Sequence, residues 1–276
     1  MTHTRRIARL TLDAEALAGD MANADRFRYS DAYSEFTCGS WKGSALCNGS
    51  GDLYDTRIVD YEGPYQVTEH GRQMPYVLDL IGRHFRTEHL RFVRLGRIAP
   101  GSVMVPHRDY LELDESLTRI HIPLHTSPEC FSSDGETIYQ MALGDVWFID
   151  AAQPHSAVSF ATEDRTHLIL DFTTATVEEA LAFTPDADAG IPEEVTFPRA
   201  PLTDAQRLAL EGLSAVVDTH NYRDVLALVI KQYFRSDISV AEIFDIVERI
   251  AKNGGATEAA ERIQWLRTHA LVTRLD

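Results

Sequence analysis

A chain of 276 residues that is 44% apolar and 25% charged has the make-up of a soluble globular protein with its own core. Its net charge of −16 makes nucleic acid and anionic membrane surfaces poor partners, and an anionic small molecule would need cations placed locally. The longest apolar runs, such as DVLALVI at 224–230, are far too short to span a bilayer, and three unpatterned cysteines (Cys38, Cys47, Cys130) predict a reducing compartment, the cytoplasm.

The N-terminal stretch MTHTRRIARLTL mixes charges with alternating apolar residues, so it reads as a strand and not as a secretory signal. A short helix is expected around Asp13–Asp20. Residues 31–62 are rich in Gly, Ser and aromatics and read as strands and turns. Tyr33 and Trp41 could reach a pocket from there, or could be plain core. The sequon Asn48-Gly-Ser reads as a turn. Residues 74–85, MPYVLDLIGRHF, have helical spacing, with Val77, Leu78, Ile81 and Phe85 on one face and Pro75 in the first turn.

From His89 to Asp171 the pattern changes to short β-branched or aromatic segments between turn residues: HLRFVRLGRI, SVMVPHRDYLEL, TRIHIPLHT, TIYQMAL, GDVWFID, SAVSF and THLILDF. With the earlier strands, eight or more are available, which predicts a mainly β fold, a double-stranded jelly roll. Residues 1–175 are assigned to it. Residues 176–202, rich in Pro and acidic residues, read as a linker or wrapping loop, and 203–276 as a C-terminal α-helical domain.

Chemistry concentrates in 103–172. His107-Arg108-Asp109 places an imidazole and a carboxylate on one side of an extended segment. His155 follows in AAQPHSAVSF, after several intervening strands. Two imidazoles and one carboxylate suit a non-haem Fe(II) site with open positions. In TRIHIPLHT, Ile120, Ile122 and Leu124 suit a packed face, so Arg119 and His121 should line the opposite, inner one. Arg165 heads an apolar strand, sharing a face with His167 and Ile169; facing inward, it needs an anion, either a carboxylate of the chain or that of a 2-oxo acid co-substrate. Glu112 and Asp114 read as a solvated strand end, and no catalytic residue is expected beyond the metal centre. Signatures of serine hydrolases, P-loops, dinucleotide folds and paired-cysteine zinc sites are absent.

Together VPHRDYLEL, RIHIPLHT, GDVWFIDAAQPHSAV and RTHLILDF resemble the bacterial free L-proline hydroxylases of the cis-3 and cis-4 types, within the aspartyl/asparaginyl β-hydroxylase-like branch of Fe(II)/2-oxoglutarate oxygenases. The segment YSEFTCGSWKGSALCNGSGD and the helical tail are similar to that family as well. The resemblance implies that His107, Asp109 and His155 ligate iron, that Arg165 grips the far carboxylate of 2-oxoglutarate, and that Arg119 and His121 assist. It also offers Arg97, ten residues before His107, for a substrate carboxylate. Tyr33, Glu35, Trp41, Tyr110 and Trp147 are candidates for the substrate amine or ring, with core packing the alternative for Trp147.

The implied activity is hydroxylation of a small free amino acid, L-proline or pipecolate, using Fe(II), 2-oxoglutarate and O2 and giving succinate and CO2. An oxygenase acting on a protein side chain or a carrier-bound amino acid remains open, as does a non-enzymatic jelly-roll binding module.

Overall fold

The structure, a computed structural model, describes residues 3–31, 34–109, 117–187 and 190–274. Two antiparallel sheets face one another. The strands of the larger are β1 (Arg5–Arg9), β3 (Trp41–Asn48), β4 (Gln66–Val67), β5 (Leu90–Ile98), β7 (Thr118–His125), β10 (Asp145–Ile149) and β12 (Arg165–Phe172). Their spatial order is β1-β10-β7-β12-β5-β3-β4. The smaller sheet runs β2-β6-β11-β8-β9, from β2 (Thr37–Cys38), β6 (Val103–Met104), β11 (His155–Ser159), β8 (Cys130–Asp134) and β9 (Thr137–Tyr139). This is the predicted jelly roll.

Strand alternation decides what lies inside it. Val93, Leu95, Ile120, Ile122, Leu168 and Leu170 point out of the large sheet into one apolar cluster. Helices α1 (Ala14–Ala24) and α3 (Pro75–His84) cover that face, contributing Leu17, Val77, Leu80 and Ile81. Asp13 caps α1 by accepting from the N–H groups of Glu15 and Ala16. The buried carboxylate of Asp20 accepts from the N–H of Val77 at 2.9 Å, tying α1 to the first turn of α3. Between them lies the short α2 (Glu69–Arg72), and α4 (Val177–Ala180) follows β12.

A second apolar cluster lies on the outer face of the small sheet. Val103, Val105, Ile138 and Val158 pack there against α6 (Tyr222–Tyr233), α7 (Val240–Asn253) and α8 (Thr257–Leu271), through Leu226, Val229, Ile230, Phe244, Val247 and Ile263. The C-terminal helices, with α5 (Asp204–Glu211) before them, thus share a core with the jelly roll. A capping box of Ser239 and Glu242 starts α7. The two large apolar layers sit outside the sheets, and the space between the sheets holds the buried arginines and histidines together with smaller apolar groups around Trp41 and Tyr139.

Three local expectations are corrected. The described part of the segment 102–113, residues 102–109, is strand only over Val103–Met104, because Pro106 has no N–H to extend the ladder; Tyr110, Glu112 and Asp114 lie outside the described residues. TIYQMAL forms a strand only over Thr137–Tyr139. The expected apolar face of the 74–85 helix stops short, since the helix ends at His84 and Phe85 is extended. Asn48 does organise a turn: its buried amide donates to the carbonyls of Asp52 and Asp55 and accepts from the Gly51 N–H.

Candidate active site

Beyond Pro106 the chain makes one isolated bridge, His107 to His155, with N–H···O bonds of 3.0 and 2.9 Å in the two directions. That bridge joins the two segments carrying the histidines. The Nδ1 of His107 donates to the carbonyl of Val105 at 2.8 Å, and that of His155 to the carbonyl of Gln153 at 3.0 Å. In the neutral form of each ring the lone pair is therefore on Nε2. They lie 3.5 and 3.4 Å from the two oxygens of Asp109. Donor atoms of His107, Asp109 and His155 all fall within 4.8 Å of one another, and no other group of this kind occurs among the described residues. Two neutral nitrogens and a carboxylate gathered this closely fit one Fe(II) ion.

Burial alone would raise the Asp109 carboxyl; Arg119, in direct contact, and the two imidazoles outweigh it and hold the group well below the usual carboxylate range. Burial, and then His155, lower His107. His155 is lowered by burial too, but the bond to Asp109 prevails and raises it.

The same cavity extends across the inner face of the large sheet. Arg94, Gly96 and Ile98 come from β5, Arg119 and His121 from β7, and Arg165, His167 and Ile169 from β12. Arg165 is buried; its Nε donates to His167 Nε2 at 2.9 Å and its Nη2 to Ser132 Oγ at 3.0 Å. Among the described residues no carboxylate pairs with it: the carboxylates near it in sequence go elsewhere, Asp164 to Arg97 and Asp171 to Arg94 and Arg119. Burial first, and then the nearby arginines, keep His121 and His167 neutral, well below the usual imidazole value. Arg119 faces inward as expected, with its guanidinium between Asp109 and Asp171.

Trp41 lines the cavity, over two glycines paired on neighbouring strands, Gly43 and Gly96. A Cβ on Gly96 would meet Trp41 Cζ2 at 3.3 Å and Ile169 Cδ1 at 2.8 Å, so the close approach of the indole requires glycine there.

The other substrate candidates fare differently. Arg97 is on the opposite face of β5, beside Val93 and Leu95, where it pairs with Asp25 at 2.9 Å and Asp164 at 3.7 Å. It does not reach the cavity; the inward-facing arginine of β5 is Arg94, which the sequence reading missed. Glu35 is exposed, because its neighbour Phe36 takes the inward position and stacks on His107. Trp147 is fully buried with its ring 4.9 Å from that of Tyr139; Tyr139 forms the cavity wall and Trp147 backs it. Tyr33 and Tyr110 lie outside the described residues.

A jelly roll holding two imidazoles and a carboxylate in one cavity with a buried arginine, which pairs with no carboxylate among the described residues, has the site of an Fe(II)/2-oxoglutarate-dependent oxygenase. The aspartyl/asparaginyl beta-hydroxylase family matches residues 5–175, and the C-terminal part of L-proline 3-hydroxylase matches residues 179–275. The chain is 34% identical over 278 residues to L-proline cis-3-hydroxylase 1 of Streptomyces sp, covering 97% of this chain and 94% of that one. It is 31% identical over 264 residues to L-proline cis-4-hydroxylase of Rhizobium meliloti (strain 1021), covering 94% and 92%. It belongs to the aspartyl/asparaginyl β-hydroxylase family of Fe(II)/2-oxoglutarate oxygenases.

Proposed function

We propose that this chain hydroxylates a small free amino acid, L-proline or a close cyclic relative such as pipecolate, at the cis-3 or cis-4 position. The relatives' names support the substrate class. The observation that carries the reading is the charge inside the cavity. Among the described residues, three arginines, Arg94, Arg119 and Arg165, face two carboxylates, Asp109 and Asp171, an excess of one positive charge in a protein that is strongly acidic overall. Fe(II) raises that excess to three. The dianion of 2-oxoglutarate offsets two of these charges; a free amino acid adds no net charge, but the remaining positive charge draws its carboxylate to the arginine end of the cavity and leaves its ammonium facing away.

In this reading His107, Asp109 and His155 hold Fe(II). Arg165, with Ser132, takes the far carboxylate of 2-oxoglutarate, and neutral His121 and His167 line the space between. Arg119 orients Asp109 and stands beside the co-substrate. Arg94 takes the amino-acid carboxylate, and the ammonium lies against the Trp41 face. Bound Fe(II) with 2-oxoglutarate activates O2 for attack on a C–H bond, releasing succinate and CO2. The protein's share is positioning, and small displacements of the target carbon decide which position is oxidised. The three cysteines are buried and unpaired, which supports a reducing compartment such as the cytoplasm. No helix among the described residues is long and apolar enough to cross a membrane.

The test is anaerobic loading with Fe(II) and 2-oxoglutarate, then O2 with a panel of free amino acids, N-acylated amino acids and short peptides. Succinate release coupled to gain of one oxygen atom by free proline or pipecolate is expected. Coupling only with acylated or peptide substrates would sink the free amino-acid reading.

A further inference from the structure

The three-residue segment that carries two of the metal ligands is held from both sides. On one side is the jelly roll: the His107 carbonyl accepts from the His155 N–H, and the Asp109 N–H donates to the Ala151 carbonyl at 2.8 Å. On the other is the C-terminal segment. The N–H of Arg108 donates to the carbonyl of Ala270, in α8, at 2.9 Å, and the carbonyl of Arg108 accepts from Arg274 Nη2 at 2.6 Å. Each of the two peptide planes flanking Arg108 is thus fixed at its oxygen and at its nitrogen by different parts of the fold. These planes set the directions in which His107 and Asp109 leave the backbone.

Side chains extend the same contact. Arg274 Nη1 donates to the carbonyl of His269 at 2.7 Å, and its guanidinium lies 4.8 Å over the ring of Phe36. Phe36 stacks on His107 at 4.9 Å and on His269 at 5.5 Å. The imidazole of His107 is therefore backed by a ring that α8 and Arg274 hold in place.

We infer that the end of α8, acting through Arg274 and Phe36, is a positioning device for the metal centre, fixing the angle between the His107 and Asp109 donors. It gives the C-terminal helices a part in the reaction although none of their side chains lines the cavity. The inference rests on the ligand assignment proposed above.

Co(II) is the probe, because its d–d bands report ligand geometry as well as occupancy. R274A is compared with wild type and with R267A, which breaks the 2.6 Å pair between Arg267 of α8 and Asp245 of α7 without touching the ligand segment. R274A should weaken Co(II) binding about tenfold or more and shift the bands, as loss of groups that orient metal ligands does. R274K, keeping a cation over Phe36 and one donor, should recover part of the loss. R267A should bind Co(II) within about twofold of wild type, having lost only a surface ion pair. A folded R274A with wild-type affinity and bands would overturn the inference, as would an equal loss in R267A. Should R274A not fold, R274Q, which keeps one donor, carries the same comparison. Failure of the wild type to bind Co(II) would overturn the ligand assignment itself and the clamp with it.

Discussion

Arg119 Nε donates to Asp171 Oδ1 at 2.8 Å while the other side of the same guanidinium contacts Asp109. Asp171 also accepts from Arg94 Nη1 at 3.2 Å. A carboxylate with no solvent exposure therefore links Arg119, which holds Asp109, to Arg94, the arginine proposed above to take the substrate carboxylate. Such a relay couples the two ends of the cavity through rigid, fully buried charge pairs.

Replacing Asp171 by Asn keeps its shape and removes its charge, leaving two buried guanidinium groups short of a counter-ion. D171N should lose about 3 kcal/mol of stability, the cost of breaking a buried pair from one side. Denaturant midpoints measure this. Turnover should fall with it, since both Arg94 and Arg119 lose their anchor. An unchanged midpoint would show that Asp171 does not carry the arginines.

Gly96 tests the wall. G96A places a methyl group against Trp41 and Ile169, at distances that force the neighbours to move. The KM for the amino acid should rise by about tenfold, equivalent to 1.4 kcal/mol, with the KM for 2-oxoglutarate little changed. A rise confined to 2-oxoglutarate would place the Trp41 end on the co-substrate instead.

Much of this site is legible in strand parity. In β12, Arg165, His167, Ile169 and Asp171 alternate against Leu168 and Leu170, and in β7, Arg119 and His121 alternate against three apolar residues. The same count on β5 puts Arg94 and Gly96 inside and Arg97 outside with Val93 and Leu95. An offset taken from a resemblance favoured Arg97, and parity was the stronger physical signal. The link of Arg274 to Arg108 joins residues 166 positions apart, through a helix whose docking depends on the whole small sheet. No local pattern could announce it.

Arg94 and Arg97 form a paired test of that parity argument. R97Q should leave kcat and both KM values within about twofold and cost about 1 kcal/mol of stability, since it breaks only partly exposed ion pairs with Asp25 and Asp164. R94K keeps the charge but loses the planar fork, and should raise the amino-acid KM about tenfold. The reverse pattern in steady-state kinetics would return the substrate carboxylate to Arg97.

Acid should loosen the metal-free protein through its inner imidazoles. His121 and His167 are neutral in the fold, held well below the ordinary imidazole value of 6.5 by burial and by Arg119 and Arg165. The unfolded chain takes up protons near that value and the folded one does not. Their contribution to stability is therefore complete above it and is lost as pH falls below it. Each such group steepens the loss by up to about 1.4 kcal/mol per pH unit. His107 acts in the same direction and His155 in the opposite one, so the comparison must isolate one ring. H167Q keeps an acceptor for Arg165 Nε without a titrating group. Thermal midpoints of metal-free wild type and H167Q, taken from about pH 7.5 to about pH 5.5, should diverge below the imidazole value, with the wild type falling faster. Parallel curves would mean that His167 takes up its proton in the fold as readily as in the unfolded chain.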